Sequence, residues 1–210
     1  MHILVIGASG GTGREIVRQG LERGHTVTAF VRNPARLSLA HERLVVVRGD
    51  VLDPPSLGRA VQGQDGVLCA LGHKRWFPPN RILSQGTRNL VGAMQAHGVR
   101  RLVCETSLGV GDSFGRMGLY YTLFVVPFIL PFYYYDKHRQ ERVIGASALD
   151  WVIVRPGALT NGRQCGSYQH GTRVGSFLWT VRISRADTAA FMLEQLYDDT
   201  YLRRAVGVAW

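Results

Sequence analysis

The run Met1-His2-Ile3-Leu4-Val5-Ile6-Gly7-Ala8-Ser9-Gly10-Gly11-Thr12-Gly13-Arg14 joins an apolar, strand-like segment to a glycine-rich turn. Beyond it, Ile16, Val17 and Leu21 recur at near-helical spacing as far as Arg23. The reading is strand, glycine loop, helix. Gly7, Gly10 and Gly13 are spaced G-x-x-G-x-x-G, a pattern that lets the chain turn tightly and lets backbone N–H groups approach a pyrophosphate at a helix N-terminus. Gly11 belongs to the same loop, and Ser9 and Thr12 add hydroxyl donors. A dinucleotide is therefore the expected ligand.

Working outward, the pattern repeats. Thr26 to Val31 is a β-branched strand ended by Arg32-Asn33-Pro34; Leu44 to Val47 is a third strand, ending at Gly49-Asp50; Gly66 to Leu71 is a fourth, ending at Gly72. Leu83 to His97 predicts a helix, Arg101 to Glu105 a fifth strand, Tyr135 to Ala148 a helix and Trp151 to Val154 a strand stopped by Pro156. Arg185 to Leu196 reads as the last helix and Val206 to Trp210 as a terminal strand. Strands alternating with helices predict an α/β, single-domain Rossmann-like fold, a doubly wound parallel sheet flanked by helices and spanning residues 1–210.

Composition agrees. The chain has 210 residues, 46% of them hydrophobic and 19% charged, which suits one buried core and excludes a disordered or coiled-coil chain. A net charge of +10 favours an anionic partner. The basic residues are scattered and form no block, so nucleic acid is not the expected one. Cys69, Cys104 and Cys165 lack the pairing or spacing of a disulfide framework or metal site, and a cytoplasmic location without bound metal is expected. Gly118 to Tyr135 carries no charge, but Pro127 and Pro131 interrupt it and tyrosines crowd its end. A pocket wall or dimer face is expected there rather than a membrane span, and a monomer or homodimer is expected.

The second strand selects the dinucleotide. An NAD site places a carboxylate there for the ribose hydroxyls, whereas a 2′-phosphate calls for cations. This chain has Arg32 and Arg36, with no carboxylate between His25 and His41, so NADP(H) is expected. Asp50 and Val51 fit contact with the adenine; Asp50 fits equally well as a cap of the next turn, beside Asp53-Pro54. Leu71 and Gly72, closing the fourth strand, complete this part of the cofactor-binding set.

The glycine triad, together with Val31-Arg32-Asn33-Pro34-Ala35-Arg36, Gly49-Asp50-Val51, Gln85-Gly86-Thr87-Arg88-Asn89-Leu90 and Ala96-His97-Gly98-Val99, resembles the atypical short-chain dehydrogenase/reductases. The resemblance is nearest to the NADPH-dependent flavin reductase/biliverdin-IXβ reductase branch and extends to Ala190-Phe191-Met192-Leu193. It implies a reductase passing hydride to an aromatic, flavin, quinone or carbonyl acceptor. The alternative is a non-catalytic, redox-sensing NADP(H)-binding regulator of the NmrA-like type. The branch's two active-site histidines fall on Lys137 and Ala158 here, which speaks against tetrapyrrole reduction.

In such enzymes a serine after the fifth strand acts with Tyr-x-x-x-Lys on the following helix. Ser107, Tyr133 and Lys137 match, with Tyr134 as the substitute phenol. Lys137 would also hold the nicotinamide ribose, and Pro156, within Arg155-Pro156-Gly157, resembles the family's loop beside the nicotinamide. Trp76, Phe77, Phe114, Tyr120 and Tyr121 supply aromatic surface for an acceptor, whereas His73 and His138 are within reach of the pocket but read more readily as surface residues, and Arg185 and Asp187 read as structural.

Overall fold

Along β1 (His2–Ile6) the apolar side chains alternate between two cores: Ile3 and Val5 point to one face of the sheet, Leu4 and Ile6 to the other. Burial on both faces is what a parallel sheet covered by helices demands. The computed structural model describes residues 1–73 and 79–210.

The strands are β1, β2 (Thr26–Val31), β3 (Leu44–Arg48), β4 (Gly66–Cys69), β5 (Arg101–Glu105), β6 (Asp150–Pro156), β7 (Ala158–Thr160), β8 (Gln169–Gly171), β9 (Arg182–Ser184) and β10 (Arg204–Ala209). Eight of them form one sheet in the order β3-β2-β1-β4-β5-β6-β10-β8, parallel except for β8; β7 and β9 pair separately. This is the expected doubly wound architecture, with its order reversing between β1 and β4.

The helices are α1 (Gly11–Glu22), α2 (Pro54–Val61), α3 (Ile82–Ala96), α4 (Pro131–Gly145) and α5 (Arg185–Glu194). Ile16, Val17 and Leu21 of α1 and Phe191, Met192 and Leu193 of α5 fill one core; Leu57 and Val61 of α2, Leu90 and Met94 of α3 and Ile144 of α4 fill the other.

Several sequence boundaries shift. The fourth strand stops at Cys69 rather than Leu71, and the last runs Arg204–Ala209 rather than Val206 to Trp210. The turn expected at Asp53-Pro54 opens α2, where proline fits the first helical position because its missing N–H has no partner to lose. The helix expected from Tyr135 begins at Pro131 for the same reason. Before it, Tyr121–Ile129 forms a widened helical segment, closed by a Leu130 N–H bond to the Val125 carbonyl. Among the described residues no helix is long and apolar enough to cross a membrane.

Candidate functional site

A cleft of about 890 Å³ opens at the C-terminal ends of the strands, over the point where the strand order reverses. Its floor is the glycine loop. Gly7 has a φ of +78°, and a methyl there would collide with the Ala70 backbone; a methyl on Gly13 would overlap the Gly7 carbonyl. These two glycines let the loop touch β4 and let α1 pack against its own strand. Gly13 thus acts in packing and is not among the residues lining the cleft. Gly7, Ser9, Gly10, Gly11 and Thr12 do line it. No side chain caps α1, so its first N–H groups face the cleft, as an anion requires. The loop and its volume fit a dinucleotide's pyrophosphate.

At one end, Arg32 and Arg36 line the cleft together with Asp50, Val51, Leu71 and Gly72. A smaller hollow of about 330 Å³ is bounded by Ser9, Arg32, Asn33 and Arg36. Asn33 accepts a bond from the Ala35 N–H at 3.1 Å and fixes the short turn that carries Arg36. Among the described residues neither Arg32 nor Arg36 is ion-paired. The Asp50 carboxylate accepts the Leu52 N–H at 3.0 Å, turning its own loop, and α2 is entered at Asp53 without a side-chain cap.

At the other end α4 brings in Tyr133 and Lys137, four residues apart and so on one helical face. Their aim is set by α3: Asp136 accepts the Leu83 N–H at 2.8 Å and the Ser84 N–H at 3.3 Å, and Gln140 donates to Thr87 Oγ1 at 2.9 Å. Lys137 is only 2% exposed. Its ammonium donates to the carbonyls of Glu105 (3.0 Å) and Leu71 (3.2 Å) and sits 5.7 Å from the Tyr133 ring centre. Burial penalises that ammonium, but Tyr133, Cys104, Glu105 and Cys69 around it outweigh the penalty and hold it above the ordinary lysine value. His73 also lines the cleft, edge-on to Tyr133 at 5.2 Å, rather than standing as a plain surface residue.

The serine goes elsewhere. Ser107 Oγ lies 3.1 Å from the Tyr134 hydroxyl, and neither residue lines the cleft. Burial pushes the Tyr134 phenol up to about 12, although the Ser107 bond pulls the other way. Pro156, at the end of β6, is likewise not in the lining, while its neighbour Arg155 is buried and forked onto Glu141 at 2.6 and 2.9 Å. Phe114 and Tyr120 are exposed, Tyr121 is half-buried and none of the three lines the cleft. Trp76 and Phe77 lie outside the described residues.

The lining residues that carried no sequence signal as site residues include Glu105, Thr106 and Arg185. Glu105, at the end of β5, accepts a bond from Thr12 Oγ1 at 2.9 Å; burial raises its carboxyl, with Lys137 and Thr12 partly opposing that. Thr106 follows it. Arg185 lies across Gly11 and donates to Asn161 at 2.6 Å, so it borders the cleft, while Asp187 accepts from the Cys165 and Gly166 N–H groups and is structural as expected.

Residues 7–199 match the model of a family described as NAD(P)H-binding. An uncharacterised chloroplast protein of Arabidopsis thaliana is 34% identical over 178 residues, covering 79% of this chain and 61% of that one. Thus the chain spans about three-fifths of that relative, and only 32% of the Synechocystis photosystem II assembly factor Ycf39 that it also matches. In fold it is similar to ChuY, an anaerobillin reductase of Escherichia coli O157:H7 (TM-score 0.81, 21% identity, covering 99% of this chain and 96% of that one). It is equally similar to a Veillonella parvula short-chain dehydrogenase/reductase solved with NADP (TM-score 0.81, 19% identity, 100% and 94% covered). A glycine loop under the reversal of a parallel sheet, within a match running almost end to end, has one reading: the chain belongs to the NAD(P)H-binding family and carries its cofactor site on a Rossmann-like fold.

Proposed function

We propose that this chain is an NADPH-dependent reductase that passes hydride to a small aromatic, flavin, quinone or carbonyl acceptor. One observation carries the reading: a single cleft runs from the Arg32 and Arg36 guanidiniums, past the glycine loop, to Tyr133 and Lys137. Its cationic end suits a 2′-phosphate, which guanidiniums bind by charge-assisted, bidentate bonds. The α1 N-terminus suits the pyrophosphate.

When bound, the reduced nicotinamide supplies the hydride. The chain's own contribution is positioning and proton supply. Lys137, buried and 5.7 Å from the Tyr133 ring centre, holds the ribose hydroxyls in this reading and lowers the cost of negative charge near Tyr133. Tyr133, whose hydroxyl lies beside Gly72, donates the proton that a carbonyl acceptor needs. A flavin or quinone, which needs mainly stacked and oriented rings, uses the same cleft without dedicated acid chemistry. Ser107, bonded to Tyr134, acts through the neighbouring helix and braces the acceptor side.

The test is oxidation of NADPH, with NADH in parallel, by purified protein offered FMN, quinones and small aldehydes or ketones. Turnover faster with NADPH supports the reading. Tight NADPH binding without turnover against any acceptor would instead favour a redox-sensing regulator.

A further inference from the structure

Two surface segments beside the acceptor end of the sheet are built unlike the rest of the molecule. The widened helix Tyr121–Ile129 exposes Leu123, Phe124 and Phe128, and the loop before β9 exposes Phe177, Leu178 and Trp179. Phe128 and Trp179 are 73% and 75% exposed, which is extreme for rings of that size. The segments are laced into one face: Gly118 N–H donates to the Ser176 carbonyl at 2.8 Å and Ser176 N–H to the Arg116 carbonyl at 2.9 Å. Gly118 has a φ of +89° and lies so close to the Trp179 backbone that a methyl there would meet it at 2.5 Å.

The charges around this face are mainly positive, and the exposed Asp112 at its margin is bonded to Arg155 at 2.6 Å. Residues 113–135 and 151–186 together hold six arginines and no Asp, Glu or Lys. Arg155 is consumed in its buried pair with Glu141 and Arg185 borders the cleft, but Arg163, Arg173 and Arg182 are exposed. Apolar rings, a tryptophan included, flanked by an excess of exposed arginines are the composition of a surface that lies in a lipid headgroup layer.

We propose that this face docks on an anionic lipid bilayer, the rings entering the headgroup region and the arginines meeting its phosphates. A second copy of the chain is the poorer occupant, because a two-fold contact through this face would set the same arginines against one another. Docked so, the segment that follows β5 and the loop between β8 and β9 lie toward the bilayer.

The experiment is co-sedimentation of the purified full chain with vesicles of phosphatidylcholine alone and of phosphatidylcholine mixed with phosphatidylglycerol. The expected result is pelleting with the mixed vesicles, weakened by high salt and weakened about tenfold or more by the double substitution Phe128→Ser with Trp179→Ser. Both side chains are exposed and outside the cleft, so NADPH binding and the thermal melt serve as folding controls. Independently of that variant, brominated lipid is expected to quench the wild-type chain more than Trp179→Phe. The proposal is overturned by absence of pelleting with anionic vesicles, or by pelleting that the double substitution leaves intact. It is equally overturned if the wild type is a dimer in solution that the same substitution dissociates.

Discussion

Tyr133 and Tyr134 are adjacent in sequence but about 100° apart around a helix, and of the two Tyr133 lines the cleft with Lys137. The helix starts at Pro131, and Tyr134 turns to Ser107 and the Leu108 carbonyl. Tyr133→Phe is expected to lower kcat toward a carbonyl acceptor by about a hundredfold, the low end of general-acid catalysis, while leaving NADPH affinity nearly unchanged. Tyr134→Phe is expected to change kcat only a few-fold, since a phenol pushed up to about 12 stays protonated at neutral pH. Steady-state kinetics of both variants separates the two roles; the reverse ranking would assign the proton to Tyr134. At the other end, Arg32→Glu is expected to weaken NADPH by at least about tenfold relative to NADH, the worth of one charge-assisted bond. Titration of cofactor fluorescence reads that ratio directly. Glu105 adds a pH signature. Burial holds its carboxyl above the ordinary range, so between the unfolded and folded pKa values the native state carries the extra proton. Stability then falls as pH rises through that window and levels off above it, and Glu105→Gln is expected to flatten this fall in denaturant midpoints measured from acidic to neutral pH.

The elements depend on polar pins as much as on their apolar faces. Arg155, at the end of β6, ties that strand to Glu141 of α4, which also accepts the Thr106 hydroxyl at 2.6 Å. Arg155→Met leaves a buried carboxylate without its cation and is expected to cost about 3–5 kcal/mol in urea unfolding. A loss under about 1 kcal/mol would show that Glu141 finds water instead. This same register places Lys137, so the variant is expected to lose cofactor affinity as well as stability. Sequence periodicity revealed β1 to β6, β10, α1, α3 and α5 because each repeats an apolar face over several turns or alternates into two cores, whereas β7, β8 and β9, three residues each, are too short to show a period. It did not reveal α2, whose eight residues Pro54–Val61 are too few to establish a period and begin on a Pro-Pro pair that reads as a turn. It placed the start of α4 late because the aromatics of residues 132–135 have no polar face to set a phase. Glu105 went unmarked for a different reason: one carboxylate closing a strand is ordinary until α1 and α4 converge on it.

At the scale of the whole molecule, the parallel sheet gathers the ends of β1, β2, β4 and β5 along one edge, and that edge makes the site. The glycine motif and the two arginines that line it were visible in the sequence, being local and each tied to a known strand end. The Tyr133, Lys137 and His73 grouping was visible only as spacing, since it depends on how α4 packs against α3. A net charge of +10, with Arg32 and Arg36 in the cleft and not ion-paired among the described residues, makes cofactor capture sensitive to ions. NADPH affinity is therefore expected to fall more steeply with added salt than NADH affinity, as paired titrations at low and high ionic strength would show; parallel slopes would remove Arg32 and Arg36 from the phosphate. The most direct measurement is the rate at which purified protein oxidises NADPH, and separately NADH, with a flavin, a quinone and a simple carbonyl as acceptors. Turnover with at least one acceptor, faster with NADPH and lost in Lys137→Met, is the expected result. NADPH that binds tightly and is never consumed, or NADH used equally well, would contradict it.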